Sequence, residues 1–224
     1  MKIGAVIVAA GRGTRAGEGI AKQWRPLAGK SSAFYALDAF ARHPRVDHLV
    51  LVVAPADLDA GMVFEMPEVE IVPGGASRSA SVLAGLDVLE GSCDRVLIHD
   101  AARPCISRRV IDDVLDALET TPAAAPALPV VDALWRGANG RVVESVARDG
   151  LFRAQTPQGF HLPAILAAHR AHPEGAADDV ALALLAGLEV AMTPGCQDNL
   201  KITVAADFDR AALILKGRYG HQAR

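Results

Sequence analysis

The feature that most constrains the fold is an uninterrupted apolar run near the start of the sequence, from Ile3 to Ala10. A strand with one face in water alternates apolar and polar residues, whereas a continuous apolar run suits a strand buried on both faces, as in a parallel sheet. Glycines at positions 11 and 13 follow the run. This segment is therefore predicted to be a strand covered on both faces.

Strand and helix patterns then alternate along the chain. Strands are predicted at 48–53, 69–72, 96–98, 124–131 and 188–192, and helices at 32–43, 77–89, 107–119, 162–171, 178–186 and 206–216. Such alternation is typical of a doubly wound, mostly parallel α/β sheet. No internal repeat or low-complexity linker interrupts the 224 residues, a length that fits one large domain. The sequence therefore predicts a single α/β domain over residues 1–224.

The alternation breaks between residues 132 and 155. Glycines at 137, 140 and 150 surround the alternating segment Arg141 to Val146. Glycines flanking a short run with a period of two residues are typical of a hairpin. We expect residues 132–155 to form a β-arm that projects from the main sheet.

Composition excludes several classes of protein. The chain is 51% apolar with a formal net charge of −3, which excludes a disordered chain and gives no basic footprint for nucleic acid. Its three cysteines, at 93, 105 and 196, are too scattered for a disulfide framework or a zinc site, as in a reducing cytoplasm. The first apolar run is short for a signal peptide, and no segment could span a bilayer. We expect a cytoplasmic protein with no membrane or nucleic-acid partner.

The loop after the first strand, AAGRGTR at residues 9–15, is the first candidate site. Glycines let backbone N–H groups approach an anion closely, and open α/β sheets bind ligands at the carboxyl ends of their strands. Arg15 and Lys22 add positive charge that would suit a triphosphate. An ordinary turn or a solvated basic loop is the alternative. A dinucleotide fingerprint, G-x-G-x-x-G, fails because residue 16 is alanine.

Two later segments also place candidate binding residues at the ends of predicted strands. Gly74-Gly75 precedes a helix whose first turns carry Ser81, although simple N-capping would explain the same residues. The strand at 96–98 ends at His99-Asp100, and Arg103 follows after two alanines. A carboxylate there can anchor Mg²⁺ through water or hold a ribose hydroxyl, and a helix cap with a surface arginine is the alternative.

Acidic and histidine pairs later in the chain are interpreted as structural. Asp178 and Asp179 are expected to begin a helix, because adjacent carboxylates diverge on a helix. His169 and His172 are expected on a solvated helix face.

Six short motifs occur together in one order. They are AAGRGTR at 9–15, KQ at 22–23, GGASRSASVLAGL at 74–86, HDAARP at 99–104, QTPQ at 155–158 and NLKIT at 199–203. Over almost its whole length the chain resembles the 2-C-methyl-D-erythritol 4-phosphate cytidylyltransferases of the non-mevalonate isoprenoid pathway. The resemblance implies a Rossmann-like nucleotidyltransferase fold. It also implies transfer of the cytidylyl group of CTP to methylerythritol phosphate, with Mg²⁺ as cofactor and release of pyrophosphate.

The resemblance also implies residue roles. The positions that stabilise the reacting phosphates are Arg15, Lys22 and Lys201. The positions that hold the nucleotide are Ala9, Ala10, Gly11, Gly13, Gly74, Gly75, Ser81 and Asp100, the last also near the metal. The positions on the polyol-phosphate side are Arg103, Asp132, Arg148 and Thr156. Residues 132–155 match a dimerisation arm, through which one subunit of a homodimer completes its partner's site.

The residues agree with this chemistry and also depart from the family pattern. A phosphate monoester is mostly anionic at pH 7, so no general base is needed and a catalytic triad is not expected. The family usually has threonine at the positions of Ala133 and Ala177, and a basic residue where this chain has Trp135. Two alternatives therefore stay open: a cytidylyltransferase for another polyol phosphate, such as ribitol 5-phosphate, and a non-catalytic nucleotide-binding or NAD-dependent protein.

Overall fold

The computed structural model describes residues 1–11, 20–59 and 69–219. Its helices are α1 (Ser32–Ala41), α2 (Pro55–Asp59), α3 (Arg78–Leu89), α4 (Arg108–Ala117), α5 (Leu162–Ala171), α6 (Asp179–Leu185) and α7 (Ala205–Tyr219). Its strands are β1 (Ile3–Ala9), β2 (Pro26–Leu27), β3 (Lys30–Ser31), β4 (His48–Val53), β5 (Val69–Pro73), β6 (Arg95–Asp100), β7 (Ala123–Pro129), β8 (Leu134–Ala138), β9 (Arg141–Val146), β10 (Phe152–Ala154), β11 (Gln158–His161) and β12 (Val190–Pro194). Within the described ranges, no helix combines the length and the apolar character needed to cross a membrane.

The main sheet is centred on β1, which pairs in parallel with β4 and β6. Strand β5 extends the parallel part beyond β4. On the other side, β11 runs antiparallel between β6 and β7, β10 pairs antiparallel with β7, and β12 pairs with β7 in parallel. The predicted mostly parallel α/β sheet is confirmed. The antiparallel strand inside it was not predicted, because β11 is four residues long and lacks a strand-like apolar run.

Helices cover both faces of the sheet. On one face, Ile7 of β1 packs in a cluster with Phe40 of α1 and with residues of α4. On the other face, Val6 packs with Leu86 of α3 and with residues of α5 and α6. Helix α3 comes close to β1 because residue 85 is glycine: a Cβ there would lie 2.6 Å from Cγ1 of Val6. The continuous apolar run of β1 therefore reflects burial on both sides.

Residues 134–146 form a hairpin outside this sheet. Strands β8 and β9 pair with each other and with no other strand of the described chain. Trp135, Val142 and Val143 are exposed on it, with Trp135 66% accessible. The segment predicted as an arm, 132–155, is longer than this hairpin, because β10 at its end joins the main sheet.

Candidate functional site

A cleft of about 750 Å³ opens at the carboxyl ends of β1 and β6. The segments that line it follow β1, β4, β5 and β6, as expected for a ligand site in an open α/β sheet. The residues lining it are Val8, Ala9, Ala10, Gly11, Lys22, Gln23, Ala54, Pro55, Ala56, Gly75, Ala76, Ser77, Arg78, Ser81, Asp100, Ala102 and Lys201.

Backbone and small side chains form one wall of the cleft. The side-chain nitrogen of Gln23 donates to the carbonyl oxygens of Ala9, at 2.6 Å, and Gly11, at 3.0 Å, and so fixes the end of β1. Gly74 packs beside that end, since a Cβ on it would lie 2.5 Å from Cβ of Ala10. This wall offers peptide groups that a ligand can approach closely.

Ser81 shapes the glycine turn at the start of α3. Its Oγ accepts a hydrogen bond from the N–H of Gly75 at 3.1 Å and donates to the carbonyl of Ser77 at 2.8 Å. Ser77 in turn caps the helix, with its Oγ accepting from the N–H of Ala80 at 3.0 Å. Ser81 therefore holds the loop in place, in addition to facing the cleft.

Cations from three segments line the same cleft. Nζ of Lys201 lies 2.7 Å from Oδ2 of Asp100, and a guanidinium nitrogen of Arg78 lies 3.6 Å from Oδ1 of the same carboxylate. Nζ of Lys22 donates to the carbonyl of Ile202 at 2.8 Å, on the loop that carries Lys201. The cleft thus has the positive charge that polyphosphate chemistry requires.

Asp100 is the only acidic residue among the described residues that line the cleft. Burial acts to raise the pKa of Asp100, but the positive charges of Lys201 and Arg78 lower it by a larger amount. The pKa therefore lies well below its usual range. Asp100 is therefore a carboxylate at neutral pH. An ionised carboxylate beside a phosphate site is a donor that suits Mg²⁺, which commonly binds one or two carboxylates together with substrate phosphates.

Thr156 and His99 lie behind Asp100. Nε2 of His99 is 3.1 Å from the carbonyl oxygen of Arg103, which can only accept, so Nε2 carries the proton. Nδ1 therefore accepts from the hydroxyl of Thr156 at 2.9 Å, and the Thr156 oxygen accepts from the N–H of Asp100 at 3.2 Å. Burial lowers the pKa of His99 to about 4, which keeps it neutral. The hydroxyl of Thr156 therefore holds the end of β6 in position.

The comparisons with known proteins identify the family. The model of the 2-C-methyl-D-erythritol 4-phosphate cytidylyltransferase (IspD) family matches residues 3–217. The chain belongs to this family. It is therefore a transferase enzyme, as the sequence predicted.

Relatives of the IspD family match nearly the full chain. A 2-C-methyl-D-erythritol 4-phosphate cytidylyltransferase from Roseobacter denitrificans is 59% identical over 99% of this chain and 100% of its own length. A bifunctional IspD/IspF enzyme from Paracoccus denitrificans is 61% identical over 94% of this chain, which spans only 55% of that relative. A crystal structure of 4-diphosphocytidyl-2C-methyl-D-erythritol synthase has a TM-score of 0.83 at 30% identity, covering 96% of this chain and 98% of the other.

The structure brings together many of the residues that the IspD resemblance singled out. Those lining the cleft are Ala9, Ala10, Gly11, Lys22, Gly75, Ser81, Asp100 and Lys201. Gly74 packs directly behind it. Gly13 and Arg15 lie outside the described residues. The roles of all these residues in an IspD reaction remain predictions.

The polyol-phosphate residues are placed differently. Arg103 is buried, donating to the carbonyls of Asn199 at 2.8 Å and Ala154 at 3.4 Å, and it is not among the described residues that line the cleft. Asp132 and Arg148 are exposed at the base of the β8–β9 hairpin, where Arg148 contacts the carbonyl of Val131. They do not line this chain's own cleft within its described part.

Sequence reasoning missed a buried cluster beside the cleft. Asp178 caps α6, as expected, with its Oδ1 accepting from the N–H of Ala181 at 2.8 Å. The prediction that His169 is on a solvated face is wrong: it is buried, with Nε2 3.3 Å from Oδ1 of Asp179. The only signal in the sequence was that Arg78 stands three residues before Ser81 in the motif at 74–86. That spacing gives no information about the contact between Arg78 and Asp179.

Proposed function

We propose that the cleft binds CTP and transfers its cytidylyl group to 2-C-methyl-D-erythritol 4-phosphate. The products are 4-diphosphocytidyl-2-C-methyl-D-erythritol and pyrophosphate. The observation that carries the proposal is one cleft at a glycine-lined strand edge that holds Lys22 together with an ionised carboxylate, Asp100, which Arg78 and Lys201 contact. Family membership supplies the identity of the substrates.

The reaction needs positive charge more than proton transfer. An oxygen of the methylerythritol phosphate attacks the α-phosphorus of CTP, and the bond from that phosphorus to the β-phosphate oxygen breaks. Because the attacking phosphate is already anionic, no side chain has to remove a proton from it. Lys22 and Lys201 act where negative charge develops, and the buried wall of the cleft strengthens their effect.

The nucleotide is held by peptide groups. In this proposal Ala9, Ala10 and Gly11 on one side, and Gly74 and Gly75 on the other, present backbone groups to CTP. The bond from Gln23 to the end of β1 and the bonds of Ser81 in the glycine turn keep both segments in place before the ligand arrives. Such preorganisation lowers the cost of ordering the site on binding.

Asp100 is the residue that would hold Mg²⁺. A divalent ion bound there would neutralise charge on the CTP phosphates. The donor set fits, because Asp100 is ionised and faces the cleft. Among the described residues, no cluster of three or more histidine, cysteine or acidic side chains is placed to hold a metal. The nucleotide phosphates would therefore supply most of the remaining ligands.

We further propose a homodimer whose β8–β9 hairpins reach the partner subunit. An isolated two-stranded hairpin is marginal in water, and this one exposes Trp135, Val142 and Val143. Docking it on a second copy would cover these side chains and bring Asp132 and Arg148 toward a cleft other than their own.

The three free cysteines support a reducing compartment, the cytoplasm, for this enzyme.

The test is pyrophosphate release from CTP. We expect release only when methylerythritol phosphate and a divalent cation are both present, and the product should carry the cytidylyl group by mass spectrometry. Ribitol 5-phosphate with CTP, and methylerythritol phosphate with UTP or GTP, serve as controls. Faster turnover with any of the controls would contradict the proposed substrates.

A further inference from the structure

A buried carboxylate lies directly behind one of the cations of the cleft. Arg78 is the first residue of α3, and one of its guanidinium nitrogens lies 2.7 Å from Oδ2 of Asp179 and 3.6 Å from Oδ1 of Asp100. The Asp179 side chain is 1% exposed and is not among the described residues that line the cleft. Asp179 therefore reaches the site only through Arg78.

The second oxygen of Asp179 lies next to a buried histidine. Nε2 of His169, from α5, lies 3.3 Å from Oδ1, and the other ring nitrogen lies 3.1 Å from Oγ of Ser79. The backbone N–H of Asp179 donates to the side-chain oxygen of Gln158 at 3.1 Å. The bond to Gln158 fixes the start of α6 that carries Asp179, and the carboxylate itself lies between Arg78 and His169.

Asp179 and Arg78 carry opposite charges. Burial acts to raise the pKa of Asp179, but the His169 contact and the charge of Arg78 lower it more, so its pKa falls below the usual value. The same pairing raises the pKa of Arg78. Replacing a buried ion pair by apolar residues often leaves stability unchanged or improves it. In this pair only the carboxylate is buried, and the arginine faces the cleft, so the pair can also hold the guanidinium in one place.

We propose that Asp179, oriented by His169, is a positioning residue for the reaction. It holds Arg78 at the wall of the cleft, where the guanidinium faces the nucleotide phosphates and the Asp100 carboxylate together. This inference rests on the proposed function. An arginine left without Asp179 would sample several rotamers, and its contribution to CTP binding and turnover would fall.

A double-mutant cycle separates positioning from general stability. The variants are Asp179→Asn, Arg78→Met and the pair, each measured for kcat/KM and, by calorimetry, for the Kd of CTP with Mg²⁺. If Asp179 acts through Arg78, Asp179→Asn lowers kcat/KM and raises the Kd of CTP, each by about tenfold or more, in the wild-type background. In the Arg78→Met background the same change should have an effect of less than about twofold. The calorimetric cycle gives the answer even if Arg78→Met turns over too slowly to assay.

A matched control is the His43–Asp112 pair, whose Nε2 and Oδ1 atoms lie 3.1 Å apart. Asp112→Asn also removes a carboxylate from a buried histidine, and neither residue is among the described residues that line the cleft. It should lower Tm without changing kcat/KM. Equal losses from Asp179→Asn with and without Arg78 would overturn the inference. A wild-type protein that binds CTP but releases no pyrophosphate would instead refute the proposed function, and the calorimetric cycle would still decide the inference.

Discussion

Nζ of Lys201 lies 2.7 Å from Oδ2 of Asp100, which ties the loop before α7 to the end of β6. The Lys201 side chain is 42% exposed, whereas that of Asp100 is 12% exposed. The lysine therefore reaches the carboxylate from the open side of the cleft. When a triphosphate and a divalent ion are present, the same charge can serve the phosphates.

The first prediction concerns Lys201→Met. The folded-state pKa of Asp100 is depressed below 3.8, so its ionisation contributes stability above that pH, and this is lost as the pH falls through the folded pKa. Removing Lys201 makes the depression smaller. Because the lysine is partly exposed, we expect a loss of about 1 kcal/mol in the free energy of unfolding at pH 7. Urea unfolding should show this difference at neutral pH, and the difference should narrow only as the pH falls through the folded-state pKa values of Asp100 in the two proteins.

Lys216→Met, at an exposed position of α7, is the control for this change and should leave the pH dependence as in wild type. A free energy of unfolding for Lys201→Met that equals that of wild type at pH 7 would show that the ion pair with Asp100 does not contribute to stability.

The second prediction concerns Lys22→Ala. Lys22 lines the cleft where charge develops on the phosphates. Steady-state kinetics should show kcat lowered by about 100-fold or more, with a smaller change in KM, as when electrostatic stabilisation of a transition state is lost. Lys30→Ala is the control, since Lys30 lies over the Phe34 ring and is not among the described residues that line the cleft. Unchanged kcat with a raised KM would mean that Lys22 only binds CTP in the ground state.

Much of the fold could be predicted because buried strands and helix faces produce recognisable patterns of apolar residues in the sequence. The strands β4 and β9 and the helix α5 have the bounds that the patterns predicted. Strand β11 was missed because its four residues, Gln158–His161, contain one large apolar side chain. Its place between β6 and β7 depends on pairings that are distant in the chain. Local periodicity carries no information about such pairings.

The candidate site could be predicted where its residues sit in glycine turns at strand ends. Ala9, Gly75 and Asp100 lie at or just after the ends of three separate strands, and the parallel sheet brings those ends to one edge. The contact between Asp179 and Arg78 could not be predicted in this way, because it depends on how α6 packs beside α3. The position of Thr156 also could not, since a hydroxyl that faces substrate and one that bonds to His99 look alike in sequence.

The third prediction concerns the pH dependence of stability through His99. Its pKa is lowered to about 4 by burial, while in the unfolded chain it is near 6.5. As the pH falls from 6.5 to 4, the unfolded chain binds a proton that the folded protein does not, and stability is lost over that window. The shift corresponds to a loss of roughly 3 kcal/mol. Urea unfolding between pH 7 and 4 should therefore show a smaller loss for His99→Gln than for wild type.

His172→Gln is the matched control, because His172 is partly exposed beside Glu174 and should keep the wild-type slope. If His99→Gln lost stability with pH as steeply as wild type, His99 would not be the neutral, buried group described above.

The fourth prediction concerns the hairpin as an interface. Trp135 lies opposite Ser145, and Val143, the extra residue at a β-bulge in β9, is also exposed, so the hairpin presents two large apolar side chains to solvent. The double variant Trp135→Ser with Val143→Ser should convert a dimer to a monomer in sedimentation velocity. Leu213→Ser, at an exposed position of α7, is the control and should remain dimeric. A wild-type protein that sediments as a monomer at micromolar concentration would contradict the proposed dimer.

The last prediction is that the dimer shares its active sites. Lys22 lines the cleft, whereas Arg148 is exposed at the base of the hairpin and is not among the described residues that line it. If Arg148 enters the partner's cleft, Lys22→Ala and Arg148→Ala subunits can rescue each other. Each mixed dimer would contain one site with both defects and one with neither. Random pairing makes about half of the dimers mixed, so about one quarter of all sites should be intact.

The experiment dissociates the two inactive variants, mixes them in equal amounts and assays pyrophosphate release after reassembly, with native mass spectrometry to count mixed dimers. Each variant reassembled alone is the control. If Arg148 serves its own subunit, every site in a mixed dimer carries one defect, and no activity returns. Mixed dimers that form in the expected proportion but stay inactive would therefore disprove the shared site, even though the dimer itself had been demonstrated.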